Sequence, residues 1–337
     1  MGKGTVVAGD VFESNQLSEQ TLLRAVNAFA DLPVPVFLLP GNHDPLDAAS
    51  IFDSAQLSAC ANVEVLTDSQ PRRVSGVDGV EIVGAPWRSK APTTNPLRPV
   101  LAELNALSGG HRIVVAHGQT DALAPDPNKP DLIAMAEVDT ALAEGRLHYL
   151  ALGDRHSTLS VGRSGRVWFS GAPVTTAFVE DAPNQVLLVT LDDADHGGGV
   201  EVAPLAVSDW RFLQLQWVLN STDDLAAALA DVDALPNKER TAIKVGVSGT
   251  LDLPSYADLE DAFASRAELF ASFRLRQSAS DLAVLPGALE ELDLGLGGYA
   301  LAAWDELRTR AQSEPEAAAA LRLFYRLVSR EEGRVGS

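Results

Sequence analysis

The feature that most constrains this chain is a series of short apolar runs, several of them closed by a residue able to bind a cation. The runs are TVVAG (5–9), VPVFLLPG (34–41), VEIVGAP (80–86), RIVVAHG (112–118) and HYLALGD (148–154), followed by VWFSGAP (167–173) and QVLLVTL (185–191). They are nearly continuous in Val, Ile and Leu, the pattern of strands buried on both faces. Helical patterns separate them. LSEQTLLRAVNAFADL (17–32) places Leu22, Leu23, Val26 and Phe29 on one face, with Ser18 and Thr21 near a capped start. Strands alternating with helices predict a layered α/β architecture over residues 1–207.

In open α/β sheets ligands bind at the carboxyl ends of the strands. Those ends here carry Asp10, then Gly41-Asn42-His43-Asp44, then His117, then Asp154-Arg155-His156. Each has an ordinary reading when taken singly. An Asp after a strand caps a turn or helix, Gly-Asn is a turn signal, and a single His on an apolar strand is a satisfied core residue. Their coincidence at successive strand ends favours a site. The set combines oxygen and imidazole donors, suited to Mn²⁺, Fe²⁺ or Zn²⁺ rather than to a thiolate centre. Of the 6 histidines, His43, His117 and His156 fall at these ends, whereas His111, His148 and His196 read as ordinary surface or loop residues.

The formal charge of −20 over 337 residues argues against a general polyanion-binding surface, so nucleic-acid contact would need a local basic patch or bridging metal ions. The single Cys60 excludes an intramolecular disulfide and fits a reducing compartment. No stretch approaches the roughly 18 uninterrupted apolar residues of a membrane span. No export signal is read at the start, and the cytoplasm is the expected location.

In the order GDVFES, LPGNHD, VVAHG and LGDRH, the chain resembles the calcineurin-like metallophosphoesterases. Within them it is most similar to the SbcD-type DNA repair exonucleases, through GNHDPLD, VGAPWRSK and VWFSGAPVTTAFVED. The resemblance implies β-sheets flanked by helices, with two divalent ions at the strand ends. Mn²⁺ is the first choice, with Fe²⁺, Zn²⁺ or Mg²⁺ as alternatives. It further implies a metal-bound hydroxide attacking a DNA phosphodiester in line. By position, Asp10 matches the ligand bridging both metals, Asn42 and His117 match ligands of the second metal, and His156 matches a ligand of the first. His43 matches the histidine that contacts phosphate and assists the leaving oxygen, with Asp44 orienting it.

Two departures stand out. The family's Gly-His-x-His is Gly153-Asp154-Arg155-His156 here, so Asp154 either replaces an imidazole on the second metal or points away. Glu13 stands where relatives carry a second Asp, a position read as structural. The resemblance also calls for an earlier strand ending in an Asp-x-His-type pair, for which MGKG leaves no room. Two expectations follow, the first of them favoured because the remaining motifs are intact: a start lying further upstream, or a one-metal or degenerate relative. Without that strand the chain as written is expected to be poorly soluble.

Beyond residue 207, SDWRFLQLQWVL (208–219) and RTAIKVGVSGTL (240–251) read as strands around an amphipathic helix at 221–235. A helix near 255–263 and ELFASFRLR (268–276) complete a β-α-β-α-β order. This predicts a smaller α+β capping domain over 208–285. Helical patterns within 286–337 carry Leu321, Phe324, Tyr325 and Val328 on one face. By resemblance, that stripe docks on an SbcC-type ATPase, and a homodimer is a further expected assembly. The leading reading is a DNA exonuclease subunit. A small-molecule phosphoesterase and a catalytically impaired scaffold are the alternatives.

Overall fold

Strands that are apolar on both faces need cover on each side, and this chain supplies it by stacking two sheets and packing helices outside them. The computed structural model describes residues 3–124, 126, 129–192, 199–285 and 296–328, apart from 312, 315, 319, 322 and 326. The chain divides into two compact units, Met1–Ser208 and Asp209–Ser337.

In the first unit β1 (Thr5–Val7), α1 (Glu19–Ala30), β2 (Val36–Leu38), α2 (Ala55–Ser58) and β3 (Val63–Val65) come first. They are followed by β4 (Arg72–Arg73), β5 (Val80–Gly84), α3 (Leu97–Glu103), β6 (His111–His117), α4 (Met135–Ala143), β7 (Tyr149–Gly153), β8 (Leu159–Ser160) and β9 (Val167–Phe169). An antiparallel pair, β10 (Gln185–Leu191) and β11 (Val200–Ala206), closes the unit. Ser18 caps α1, its hydroxyl accepting from the Thr21 amide at 3.2 Å.

The apolar runs divide between two sheets. One is parallel, in the order β1-β2-β3; the other runs β4-β5-β6-β7-β9-β8, with antiparallel strands at its edges. Side-chain alternation explains the four layers. In β2, Val36 and Leu38 pack with Leu22 of α1 and with Phe52 and Leu57. Phe37 turns the other way to meet Ile82 and Val115 of the second sheet. In β6, Val114 and Ala116 pack on Val100, Val138 and Leu142 of α3 and α4, while Val115 faces the first sheet. Each such buried side chain contributes about 1.5–3 kcal/mol of transfer free energy.

The second unit is built on β12 (Arg211–Leu219), α5 (Thr222–Asp233), β13 (Thr241–Asp252), α6 (Leu253–Ala267), β14 (Ser272–Leu275), β15 (Asp281–Leu285) and α7 (Gly298–Arg310). Among the described residues all its strand pairs are parallel. Along β13, residues Ala242–Val245 pair with β14 and Ser248–Asp252 pair with β15. Trp217, Phe263 and Phe273 form an aromatic cluster in its core. Ser221 caps α5, and Asp252 caps α6, which is longer than the expected 255–263. β15 was not expected at all.

Among the C-terminal helical residues, the Tyr325 hydroxyl donates to the Val284 carbonyl at 3.0 Å, and Phe324 and Tyr325 pack on Trp304. Part of the expected docking stripe therefore packs inside its own unit. His196, most of the DDADHGGG loop and much of 286–337 lie outside the described residues. Among the described residues no helix is long and apolar enough to cross a membrane.

Candidate metal centre

β1 and β2 run parallel, as do β6 and β7, so each pair delivers its carboxyl ends side by side. The two pairs meet at His117, the last residue of β6. Its imidazole is 1% exposed. Nδ1 lies 2.9 Å from the Ala8 carbonyl, which can only accept, so Nδ1 carries a proton and Nε2 is left for other chemistry. Nε2 is 2.7 Å from Asn42 Oδ1, 3.2 Å from Asp10 Oδ2 and 3.8 Å from Asp154 Oδ1. Four of the expected ligands thus converge on one point.

The backbone is shaped for this approach. A methyl group on Gly9, which sits at φ +91°, would overlap the His117 ring, and one on Gly153 would overlap the Ala8 carbonyl. Asp10 and Asp154 themselves hold positive φ angles of 49° and 94°. Such conformations cost free energy of order 1–3 kcal/mol each and cluster at functional sites.

His43 sits beside this cluster, its side chain half-exposed and its main-chain N–H donating to Asp10 Oδ1 at 2.9 Å. Its Nδ1 is 3.2 Å from the Glu13 carbonyl and 3.5 Å from the Glu13 carboxylate. Asp44, expected to orient His43, has other partners. It is fully buried and accepts from the amides of Phe12 at 2.9 Å and Gly41 at 2.7 Å, tying together the loops after β1 and β2. Glu13 is the residue that meets the His43 ring. His156 is exposed, with Nδ1 2.9 Å from Glu180 Oε1, and lies within electrostatic reach of Asp154.

Burial opposes ionisation of Asp10, yet the hydrogen bond and charge of His117 hold its carboxyl below the ordinary value. Burial likewise opposes the His117 imidazolium, but Asp10 outweighs it and raises that pKa. Asp154 and Asp44 are both pushed up, chiefly by burial and further by the charge of Asp10. Three carboxyl groups and the His117 imidazole thus share one small region, each shifting the ionisation of the others.

Among the described residues no three or more His, Cys, Asp or Glu side chains are spaced as a formed cation site. The donors are closed on one another instead, with Asn42 and Asp10 directly against His117 Nε2. Their chemistry nonetheless fits one divalent ion: two carboxylates, an amide oxygen and an imidazole nitrogen converge at strained backbone positions. Asp10, Asn42, His117 and Asp154 would hold it. For a second ion, Asp10 and His156 are the donors among the expected ligands.

Two supporting residues escaped the sequence reading. Trp87 follows β5, and its Nε1–H donates to the His117 carbonyl at 2.7 Å while its ring stands edge-on to the imidazole. Glu180 lies 24 residues beyond the histidine it contacts. Both fall within segments quoted above, VGAPWRSK and VWFSGAPVTTAFVED, where no spacing rule singles them out. His111 also differs from expectation. His111 is buried at the start of β6, bonded to the Asp192 carbonyl, and its ring stacks edge-on against His148.

Stacked sheets between helix layers, with an oxygen–imidazole cluster at the strand ends, define a metal-dependent phosphoesterase. The chain belongs to the calcineurin-like phosphoesterase family, whose model matches residues 4–189. Members of that family typically depend on two metal ions. A comparison with curated proteins found no match.

Proposed function

We propose that this chain is a phosphodiesterase acting on DNA, an exonuclease-type subunit that uses Mn²⁺ and works with an SbcC-type ATPase. The observation that carries the phosphoesterase chemistry is the convergence of Asn42, Asp10 and Asp154 oxygens within 3.8 Å of His117 Nε2. DNA as substrate is supported by the SbcD-like order of segments through VWFSGAPVTTAFVED and by a second α/β unit too large to be a loop elaboration. A partner ATPase is supported by Leu323 and Leu327, which stay 47% and 54% exposed on the C-terminal helical segment.

A bound divalent cation supplies Lewis-acid stabilisation of phosphoryl charge and makes an attacking water more acidic. The chain's own residues do the rest. Ala8 fixes the His117 tautomer, so the imidazole presents Nε2. Asp44 clamps the loops that carry Asp10 and Asn42. His43, with Nδ1 against the Glu13 carbonyl, is the accessible imidazole that protonates the leaving oxygen.

His43→Ala is expected to lower kcat by about 10²–10⁴-fold while leaving bound Mn²⁺ unchanged. Metal lost in parallel would make His43 a ligand and remove the acid role. The substrate test measures Mn²⁺-dependent nucleotide release from linear duplex DNA beside hydrolysis of a chromogenic phosphodiester. Activity on the ester alone would favour a small-molecule phosphoesterase, the reading that the net charge of −20 supports. Silence on both, with metal bound, would leave a scaffold subunit.

A further inference from the structure

Glu180 lies in the loop between β9 and β10, yet its side chain is 4% exposed. A buried carboxylate is costly unless its lone pairs are filled, and here they are. It accepts from the Thr175 hydroxyl at 2.7 Å, the Thr176 amide at 3.0 Å and the Thr176 hydroxyl at 2.6 Å, leaving its remaining contact to His156 Nδ1 at 2.9 Å. The Thr176 hydroxyl also stands 2.9 Å from His156 Nδ1. Its own proton is committed to Glu180, so it turns a lone pair toward the ring. Nδ1 thus faces two acceptors and no donor. A lone pair on Nδ1 would be repelled by both, so Nδ1 carries the proton and Nε2 is left unprotonated.

The loop that delivers Glu180 is stitched to the strand end that carries His156. The Ala172 amide donates to the His156 carbonyl at 2.8 Å, the Asp181 amide donates to the Ser157 hydroxyl at 2.9 Å, and the Thr175 amide donates to Asn184 Oδ1 at 2.8 Å. Ala182 and Asn184 hold positive φ angles of 49° and 66°, the local strain of a loop kept in one shape. We propose that Glu180, with Thr176, is the positioning residue that fixes the tautomer and orientation of His156 so that its Nε2 can bind the catalytic metal. The inference rests on the reading of His156 as a ligand. Carboxylate partners of metal-bound histidines act in this way, and losing one typically weakens metal affinity by about 10–100-fold.

The test begins without metal. In metal-free, full-length protein at about pH 8, where an ordinary imidazole is neutral, side-chain ¹⁵N NMR should show His156 protonated on Nδ1. Glu180→Ala should move that population toward the Nε2–H form, and Glu180→Gln, which keeps the volume and one acceptor oxygen, should move it less. Mn²⁺ titration should show weakened binding in Glu180→Ala by about 10–100-fold, with Glu180→Gln between it and the parent. Cooperative thermal unfolding of each variant confirms a folded sample, and Glu180→Gln alone decides if Glu180→Ala does not fold. An unchanged tautomer and Mn²⁺ affinity in both variants, while His156→Ala loses affinity, would overturn the positioning role and leave the ligand reading intact. An unchanged affinity in His156→Ala would instead overturn the ligand reading, and the metal-directed role of Glu180 with it.

Discussion

His117 closes β6 and His156 follows the neighbouring strand β7, and each has its Nδ1 against an acceptor, but they are held by different means. His117 is 1% exposed, and its Nδ1–H is taken by a backbone carbonyl, Ala8, arriving from the other sheet. His156 is 57% exposed, and its Nδ1 is taken by a carboxylate carried on a loop. The first imidazole is fixed by the stacking of the two sheets, so it cannot be altered without disturbing the fold. The second is fixed by a separable device. As proposed ligands, the buried imidazole of His117 would couple metal binding to stability, whereas the loop-supported imidazole of His156 would leave the two independent.

The largest effect should come from breaking that contrast directly. His117→Ala removes the partner of Asp10 and Asn42 and leaves two part-buried carboxylates, Asp10 and Asp154, without the imidazole they face. Stability should fall by about 2–4 kcal/mol, and Mn²⁺ affinity should fall by more than the roughly 100-fold upper range for supporting residues. His156→Ala should lower Mn²⁺ affinity with stability changed by less than about 1 kcal/mol, as for an exposed position. Urea unfolding and Mn²⁺ titration of both variants check this. Equal stability losses would mean that the two histidines are not held differently.

How far this was legible in the sequence follows the same division. Asp10, Asn42, His117 and Asp154 were readable because each closes an apolar run, and the structure brings these four together. The split into two sheets was not readable. Strands buried on both faces look alike in sequence whichever layer covers them. Glu13, Trp87 and Glu180 were missed in their present roles because loop contacts follow no period. His111 reads as a surface or loop residue because a buried imidazole is costly until a partner is known, and its partner is a carbonyl 81 residues away. β15 was missed because it pairs with the far half of β13, a contact no local pattern announces.

A middle-sized effect should come from the glycine between the sheets. Gly153→Ala would drive a methyl into the Ala8 carbonyl and close to His117 Nδ1, the very contact that sets the His117 tautomer. Overpacking of this kind costs about 1–3 kcal/mol, and Mn²⁺ affinity should fall with it. Gly76→Ala is the matched control. Gly76 sits at φ +73° with open space around it, so it should lose some stability through backbone strain and no metal affinity. If both variants kept full Mn²⁺ affinity, the close approach at Gly153 would not be what positions His117.

The smallest effect concerns a histidine pair in which a different atom is committed. His148 Nδ1 accepts from the Arg112 amide at 3.0 Å, a bond that the protonated ring cannot make. Burial, joined by the charges of His111, Arg112 and Arg166 and partly opposed by Glu81, holds its pKa below the ordinary imidazole value. The folded state therefore binds a proton less readily than the unfolded chain. This contribution to stability is complete above about pH 6.5, the unfolded value, and is lost as pH falls below it, because the unfolded chain takes up the proton first. Melting temperature should decline between about pH 7.5 and 5.5, above the range where carboxylates titrate. His148→Gln should flatten that decline, whereas His156→Ala should leave it in place. A decline that survived His148→Gln unchanged would assign the dependence to another group and remove His148 from the contrast.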